Sequence, residues 1–354
     1  MPFGDIFFFL AKISPKVKHP PPSMAAMRAS AGSADRPLLT RSSSHLRADA
    51  HTLLHQLMGG AISAAPVPSS LMRSDLRLLF QDMDSYFVAP KHDGERLFLL
   101  FGCHEKTGDD YVVAVRRNGE VLRVHGIQAP DNFFYGTLLD GEYIEASNQW
   151  HMFDVFAIQG YEHRQYSYSQ RLAAVTSTVA KITSSLCTII PKVFYKATSQ
   201  SMRNAAASEG DGIVLVDGRQ PVTLGRMATC YKVKDTRDNT IDLEVRSSAG
   251  AAPPTNQLWS SDGPVTALKA PGDVNEFVPG VYEFRLEHDA SKKEWKAVMI
   301  RPRPDKSRAN STFVIGRTRM NVSEGLTPTE LARLWDQQCE YNRRANASAS
   351  RAHG

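Results

Sequence analysis

The chain predicts an α+β fold: antiparallel sheets with flanking helices, followed by a small barrel of short strands. Three observations predict it. Apolar runs of strand length alternate with turn residues over 86–158, a run near 172–182 carries helical spacing, and beyond Asp242 short strands alternate with turns up to about residue 316. A length of 354 residues leaves room for two domains, and an apolar content of 42% is ordinary for a globular protein.

Taken in order, residues 1–68 are rich in Ser, Ala and Pro, including Pro20-Pro21-Pro22, and are expected to stay disordered apart from a short helix near 48–58. Seven Lys/Arg stand against three Asp/Glu in residues 1–70, so this leader is basic. Its acid-poor, Arg/Ser-rich stretch fits an unstructured leader better than an organelle transit peptide. The apolar stretch 6–10 is far too short to span a bilayer, and no membrane partner is expected. Order is expected to begin near Leu71. Three further arginines (Arg343, Arg344, Arg351) lie in the final stretch, which leaves residues 71–340 slightly acidic; any nucleic-acid affinity there must come from local patches. The four cysteines are scattered with no C-x-x-C, which argues against a zinc site and for a reducing compartment.

Strands are expected at 97–102 and 111–117, joined to a further strand by Asn118-Gly119, a two-residue hairpin signal in which both positions want φ > 0. Two more are expected at 136–145 and 150–158. Ser169 is a candidate cap for a helix with Leu172, Val175, Val179 and Ile182 on one face. Strands return at 188–195, 212–216 and 228–233. In 281–287, Tyr282, Phe284 and Leu286 face one way and Glu283, Arg285 and Glu287 the other. Thr327-Pro328-Thr329-Glu330 reads as a capping box for a helix carrying Leu331, Leu334 and Trp335.

The chemistry begins at Lys91, in Ala89-Pro90-Lys91-His92-Asp93-Gly94-Glu95-Arg96. A Gly-containing turn between two apolar runs can aim a lysine at a substrate and strip it of water. Downstream come Asp140-Gly141-Glu142, then Phe153-Asp154 inside an apolar strand, Glu209-Gly210-Asp211-Gly212-Ile213-Val214, the alternating pair Lys232 and Lys234, and Arg301-Pro302-Arg303-Pro304-Asp305-Lys306 followed by Asn310. Each piece alone has a plain structural meaning: a turn before a strand, a core aromatic, a solvated strand face, a basic surface loop. Their joint order does not. K-x-D-G-x-R and its successors resemble the motif series of covalent nucleotidyltransferases, the capping guanylyltransferases and the ATP-dependent DNA and RNA ligases, over roughly residues 70–340. Asp211-Gly212-Ile213-Val214, Asn239-Thr240-Ile241-Asp242, Trp295 and Asn310 are similar to the capping branch. Two departures are Lys232-Val233-Lys234, where K-W-K is usual, and Ala309, where proline is usual.

The resemblance implies a nucleotidyltransferase domain over 69–240, an OB-fold β-barrel over 241–320, a C-terminal helix over 321–345 packing back on the first domain, and a disordered tail over 346–354. It implies that Lys91 takes GMP from GTP as a phosphoramidate and passes it to the 5′-diphosphate end of RNA. The attacking amine must be uncharged, and only about one free lysine in a thousand is so near pH 7, so desolvation and the cations Lys232 and Lys234 are expected to assist. By motif position Arg96 and Glu142 bind the ribose, Phe153 stacks on guanine, and Asp211 holds Mg²⁺ or Mn²⁺. Arg301, Arg303, Asp305 and Lys306 engage the β- and γ-phosphates. Arg117 is a candidate phosphate contact, and Lys192 or Lys196 a candidate for guanine O6. With no phosphatase loop or methyltransferase fingerprint in the sequence, a separate RNA triphosphatase and the transcription machinery are the implied partners, in the nucleus or, for a virus, the viral factory or virion. The alternatives are an ATP-dependent polynucleotide ligase working through lysyl-AMP, and a non-catalytic RNA-binding scaffold.

Overall fold

The computed structural model describes residues 37–247, 256–271, 274, 277–289, 291–304 and 306–352. The chain forms two compact units. One comprises the chain up to Pro66 with Gly94–Val193 and Gly218–Gly225; the other comprises Val67–Asp93, Phe194–Asp217 and the chain from Arg226 onward. The stretch 69–240, expected as one domain, contributes residues to both.

The first unit is built on an eight-stranded sheet. Its main path runs Leu39–Arg41, Val121–Val124, Asp110–Arg116, Glu95–Cys103, Thr137–Ile144, Gln149–Ile158 and Tyr161–Glu162, each pair antiparallel, and Thr188–Pro191 adds in parallel to Gln149–Ile158. The run Leu97-Phe98-Leu99-Leu100-Phe101 is apolar at every position because both faces of its strand are covered. Phe98 and Leu100 pack with Leu46, Ala50, Leu54 and Met58 of the helix Ser44–Met58. Leu97, Leu99 and Phe101 share the opposite core with Val175 and Val179 of the helix Tyr168–Val179.

The expected disordered leader is thereby corrected for residues 37–68. Overall composition concealed a four-residue apolar spacing at 46, 50, 54 and 58, which is one face of a helix. Ser43 caps that helix by accepting the Leu46 N–H, and Gly59 ends it in the left-handed region. Residues 1–36 of the expected leader lie outside the described residues. Two local readings also change. The hairpin after Asp110–Arg116 closes with Gly119 N–H donating to the Arg116 carbonyl and Arg116 N–H to the Glu120 carbonyl, and of Asn118 and Gly119 only Gly119 has positive φ. Asn118 instead turns its side-chain oxygen to the Glu120 N–H, which holds a longer loop. The helix expected to start at Ser169 is capped by Ser167, in a capping box with Gln170, while the Ser169 hydroxyl donates to the Gly218 carbonyl.

The second unit holds two sheets. One has the order Tyr195–Lys196, Tyr86–Pro90, Ile213–Asp217, Arg226–Val233 and Val67–Ser70. Val88, Ile213, Leu215, Tyr231 and Val233 of this sheet share a core with Met202 and Ala205 from the helix Ser199–Ala206, and with Leu331, Ala332 and Trp335 from the helix Pro328–Ala352. The other sheet is antiparallel, in the order Gly263–Pro264, Asn256–Ser260, Thr240–Ser247, Gly280–Asp289 and Glu294–Pro302, with its own core around Ile241, Leu243, Phe284, Leu286 and Trp295. The helix Thr312–Glu324 adds Ile315 to that core. The disordered tail expected over 346–354 is corrected as far as Ala352, where the last helix ends. Alanine and arginine are good helix formers, and no glycine or proline interrupts them before Gly354.

Candidate active site

Lys91 follows directly on the strand Tyr86–Pro90, whose neighbour Ile213–Asp217 pairs on its other side with Arg226–Val233. Three motifs far apart in sequence therefore end side by side: Ile213 pairs with both Pro90 and Val233. The loop before Ile213 clips the Lys91 backbone from both sides. Lys91 N–H donates to the Gly212 carbonyl at 2.8 Å, and the Lys91 carbonyl accepts the Asp211 N–H at 2.9 Å. Gly210 sits at φ 144°, and a Cβ there would stand 2.2 Å from the Lys91 carbonyl oxygen, so no other residue fits without moving the lysine.

The side chains converge in turn. Lys91 Nζ lies 2.6 Å from Asp211 Oδ1, and Lys234 Nζ donates to Asp211 Oδ2. Side chains of Lys91, Asp211 and Lys234 keep 22, 21 and 18% of their surface, so the cluster is shielded but reachable. Lys232 lies on the same face, two residues before Lys234. Burial, then Lys234 and Lys91, lower its pKa to about 8. For Asp211, burial works against the charge, but Lys91 and Lys234 outweigh it and hold the carboxyl below its usual range.

Asp211 Oδ1 is buried, and its partner is the Lys91 ammonium at 2.6 Å, a cation that a metal ion could replace. That fits a hard cation. Among the described residues no group of three or more His, Cys, Asp or Glu could enclose a metal ion. Such an ion would take Asp211 as its protein carboxylate and complete its shell with water and phosphate oxygens, the usual habit of Mg²⁺.

In the first unit, Glu142 and Arg96 pair across neighbouring strands. Glu142 accepts the Gly94 N–H at 3.2 Å, and a Cβ on Gly94 would meet the Tyr143 carbonyl oxygen at 2.4 Å, so the glycine after Asp93 is a close-approach position. Arg96 forms a fork with buried Asp140, at 2.9 and 2.5 Å, and donates also to the Pro66 carbonyl. Burial opposes its charge, and Asp140 more than restores it. The guanidinium stands 5.6 Å from the Phe153 ring centre. Lys192 Nζ stands 6.0 Å from that same ring centre. Lys196 lies elsewhere: in the second unit it donates to the Asp84 carbonyl and covers Phe87 at 4.8 Å. Arg117 donates to the Ser63 carbonyl at 3.2 Å.

The late arginines are held by carboxylates of their own sheet. Arg301 donates to Glu283 at 2.7 Å, and Arg303 reaches Asp242 at 3.0 Å and Glu283 at 3.7 Å. Lys306 is exposed, and Asp305 lies outside the described residues. Asn310 fastens the same Asp242 through its backbone, accepting Asp242 N–H at 2.8 Å and donating to its carbonyl at 2.7 Å.

Sequence reasoning missed the partners that hold these groups. Asp140 was part of a motif without a task; it anchors Arg96. Asp154 is gripped by the fully buried Arg171 at 2.7 and 3.1 Å, and Tyr168 OH donates to the Phe153 carbonyl at 2.9 Å. One signal was present: Arg171 sits in line with Val175 and Val179 at four-residue spacing, a charge on the buried stripe of its helix. Asp242, like Asp140, stood in a motif without a task, and Glu283 on the polar face of an alternating strand; these are the carboxylates of Arg301 and Arg303.

A lysine clipped at a strand end, facing a carboxylate and two further amines, defines a site for phosphoryl chemistry. Residues 40–236, more than half of the chain, match the family model for the mRNA capping enzyme, catalytic domain. The chain belongs to this family of nucleotidyltransferases and is an mRNA guanylyltransferase. It is 23% identical to the mRNA-capping enzyme subunit alpha of Candida glabrata over 367 aligned positions, covering 77% of this chain and 81% of that protein. It is 22% identical to the protein of the same name from Saccharomyces cerevisiae, covering 79% and 80%. Among solved structures, a mycobacterial DNA ligase D complexed with ATP and MES is 13% identical, covering 68% of this chain and 95% of that one, with a TM-score of 0.40, a likeness too slight to build on.

Proposed function

We propose that this guanylyltransferase moves GMP from GTP to the 5′-diphosphate end of RNA through a phosphoramidate on Lys91. The Lys91–Asp211–Lys234 cluster carries the reading. In the first step the uncharged Lys91 amine attacks the α-phosphorus, the P–N bond forms, and the bond to the pyrophosphate oxygen breaks. In the second, a β-phosphate oxygen of the RNA attacks the same phosphorus, the P–N bond breaks, and the amine regains a proton. Dividing one hard transfer in two is the gain of covalent catalysis. Asp211 lies within reach of the Lys91 proton, and Lys232 and Lys234 bring positive charge to the α-phosphate oxygens. Mg²⁺ or Mn²⁺ on Asp211 would neutralise phosphate charge and remove the counter-charge that favours the Lys91 ammonium.

Motif position assigns the ribose to Arg96 and Glu142 and the guanine to Phe153. Arg96 has three donor contacts within the protein, so it offers the nucleotide its remaining N–H groups. The nearness of Lys192 to the Phe153 ring supports Lys192 over Lys196 as the guanine O6 contact. Arg117 is assigned to phosphate. Arg301, Arg303, Asp305 and Lys306 take the β- and γ-phosphates, for which Arg301 and Arg303 exchange Glu283 and Asp242 for phosphate oxygens. We read residues 241–320 as an OB-type barrel and 69–240 as the nucleotidyltransferase domain. A separate triphosphatase supplies the 5′-diphosphate end, and the site of action is nuclear.

Incubation with α-labelled GTP or ATP and a divalent metal, followed by a denaturing gel, tests this. Label from GTP is expected. Label from ATP alone would make the chain a ligase, and no label from either would leave an RNA-binding scaffold.

A further inference from the structure

Beside the lysine cluster, wholly within the second unit, lies a cavity of about 230 Å³. Its lining includes Lys232 and Lys234 and, from the helix Thr312–Glu324, Phe313 and Arg317, which stand one turn apart on the same face. Arg226 completes the cationic lining, and among the described residues Asp238 is the one carboxylate in it. Lys234 is already paired with Asp211, so Lys232, Arg226 and Arg317 are the excess that an anion would satisfy. Arg317 is held in place by a bond to the Ser70 carbonyl at 2.9 Å, and the Arg226 guanidinium lies 4.9 Å from the Phe313 ring centre. Neither arginine has a carboxylate partner among the described residues, unlike Arg301 and Arg303. Phe313 lines the cavity and is 57% exposed, although Arg226 lies over one side of its ring.

We propose that this cavity is the acceptor site, taking the 5′-terminal phosphates of the RNA on Arg226 and Arg317 and its first base on Phe313. The proposal rests on the guanylyltransferase reading above and names where the second substrate lies. Polyphosphate could also come from GTP, whose β- and γ-phosphates carry the same chemistry. The exposed ring favours RNA: a base stacks on it without sequence demand, and the lysines shared with the Lys91 cluster bring the terminal phosphate to the phosphoramidate. A β-phosphate oxygen then forms the new P–O bond as the P–N bond to Lys91 breaks, and the amine takes its proton from solvent.

The two steps are measured separately on the full chain carrying Arg317→Gln or Phe313→Ala, with matched thermal unfolding as the check on folding. Lysyl-GMP formation from labelled GTP is expected to stay within about twofold of wild type, while transfer from preformed lysyl-GMP to a short 5′-diphosphate RNA falls about tenfold, the loss of one charge-assisted bond or one stacked base. With pyrophosphate as acceptor in the reverse reaction, Phe313→Ala is expected to lose nothing. Equal losses in both steps would assign the cavity to GTP, and no loss in either would leave it without a role; both overturn the proposal while the guanylyltransferase reading stands. A wild-type chain that takes no label from GTP overturns that reading and this proposal together. Arg317→Lys, which keeps the charge, is expected to recover part of the transfer rate.

Discussion

Lys232 is where pH acts on the site. Burial and its lysine neighbours lower it to about 8 from an ordinary 10.5, so between those values the folded enzyme binds fewer protons than the unfolded chain. The resulting destabilisation is complete below pH 8 and is relieved as pH rises towards 10.5. For the proposed reaction the consequence runs the other way, because the cation it would offer the α-phosphate disappears above pH 8. The value of kcat/KM for lysyl-GMP formation is expected to fall above about pH 8, and Lys232→Arg, whose guanidinium stays charged, is expected to move that limb upward. A profile identical in both enzymes would remove Lys232 from the site. Asp211→Asn keeps the shape and removes the charge that faces both lysines. Lysyl-GMP formation is expected to drop by at least about a hundredfold, the size of losing one well-aimed electrostatic group; a loss under tenfold in single-turnover labelling would count against the assignment.

At the scale of elements, the strands that carry motifs were legible and their supports were not. Local residue pattern marks Lys91, Asp211 and the Lys232/Lys234 pair because a strand end, a glycine loop and a period-two face are short-range features. Arg96 was read as a ribose contact; its fork with Asp140 depends on a register between strands that no local pattern encodes. The Ser44–Met58 helix was half seen, as a short helix in a leader, since its four apolar positions gain meaning only against Phe98 and Leu100. Deleting residues 1–68 is therefore expected to abolish cooperative unfolding: each of Leu46, Leu54 and Met58 leaves a core where burial of such a side chain is worth about 1.5–3 kcal/mol. An unchanged melting transition would contradict that packing. Arg171→Leu strands Asp154 in the same unit. The expected cost is about 3–5 kcal/mol in denaturant titration, because the remaining buried charge has lost its partner.

At the scale of the molecule, sequence character and spatial grouping divide the chain differently. Composition changes after Asp242, yet the compact units exchange chain at Asp93/Gly94 and Asp217/Gly218, inside apparently continuous motif stretches. A linker leaves a trace in composition; a strand that leaves one sheet for another leaves none. The C-terminal helix offers a test of the second unit. Leu331, Ala332 and Trp335 are buried in the core behind the Lys91 strand, whereas residues 340–349 are exposed. Truncation after Tyr341 is expected to leave thermal stability nearly unchanged, and truncation before Leu331 to unfold the unit that bears Lys91. The covalent step itself is read most directly by intact mass and peptide mapping after incubation with GTP and a divalent metal. The account requires one GMP on the peptide containing Lys91 and none on Lys91→Ala. An adduct on another residue, or full labelling of Lys91→Ala, would contradict it.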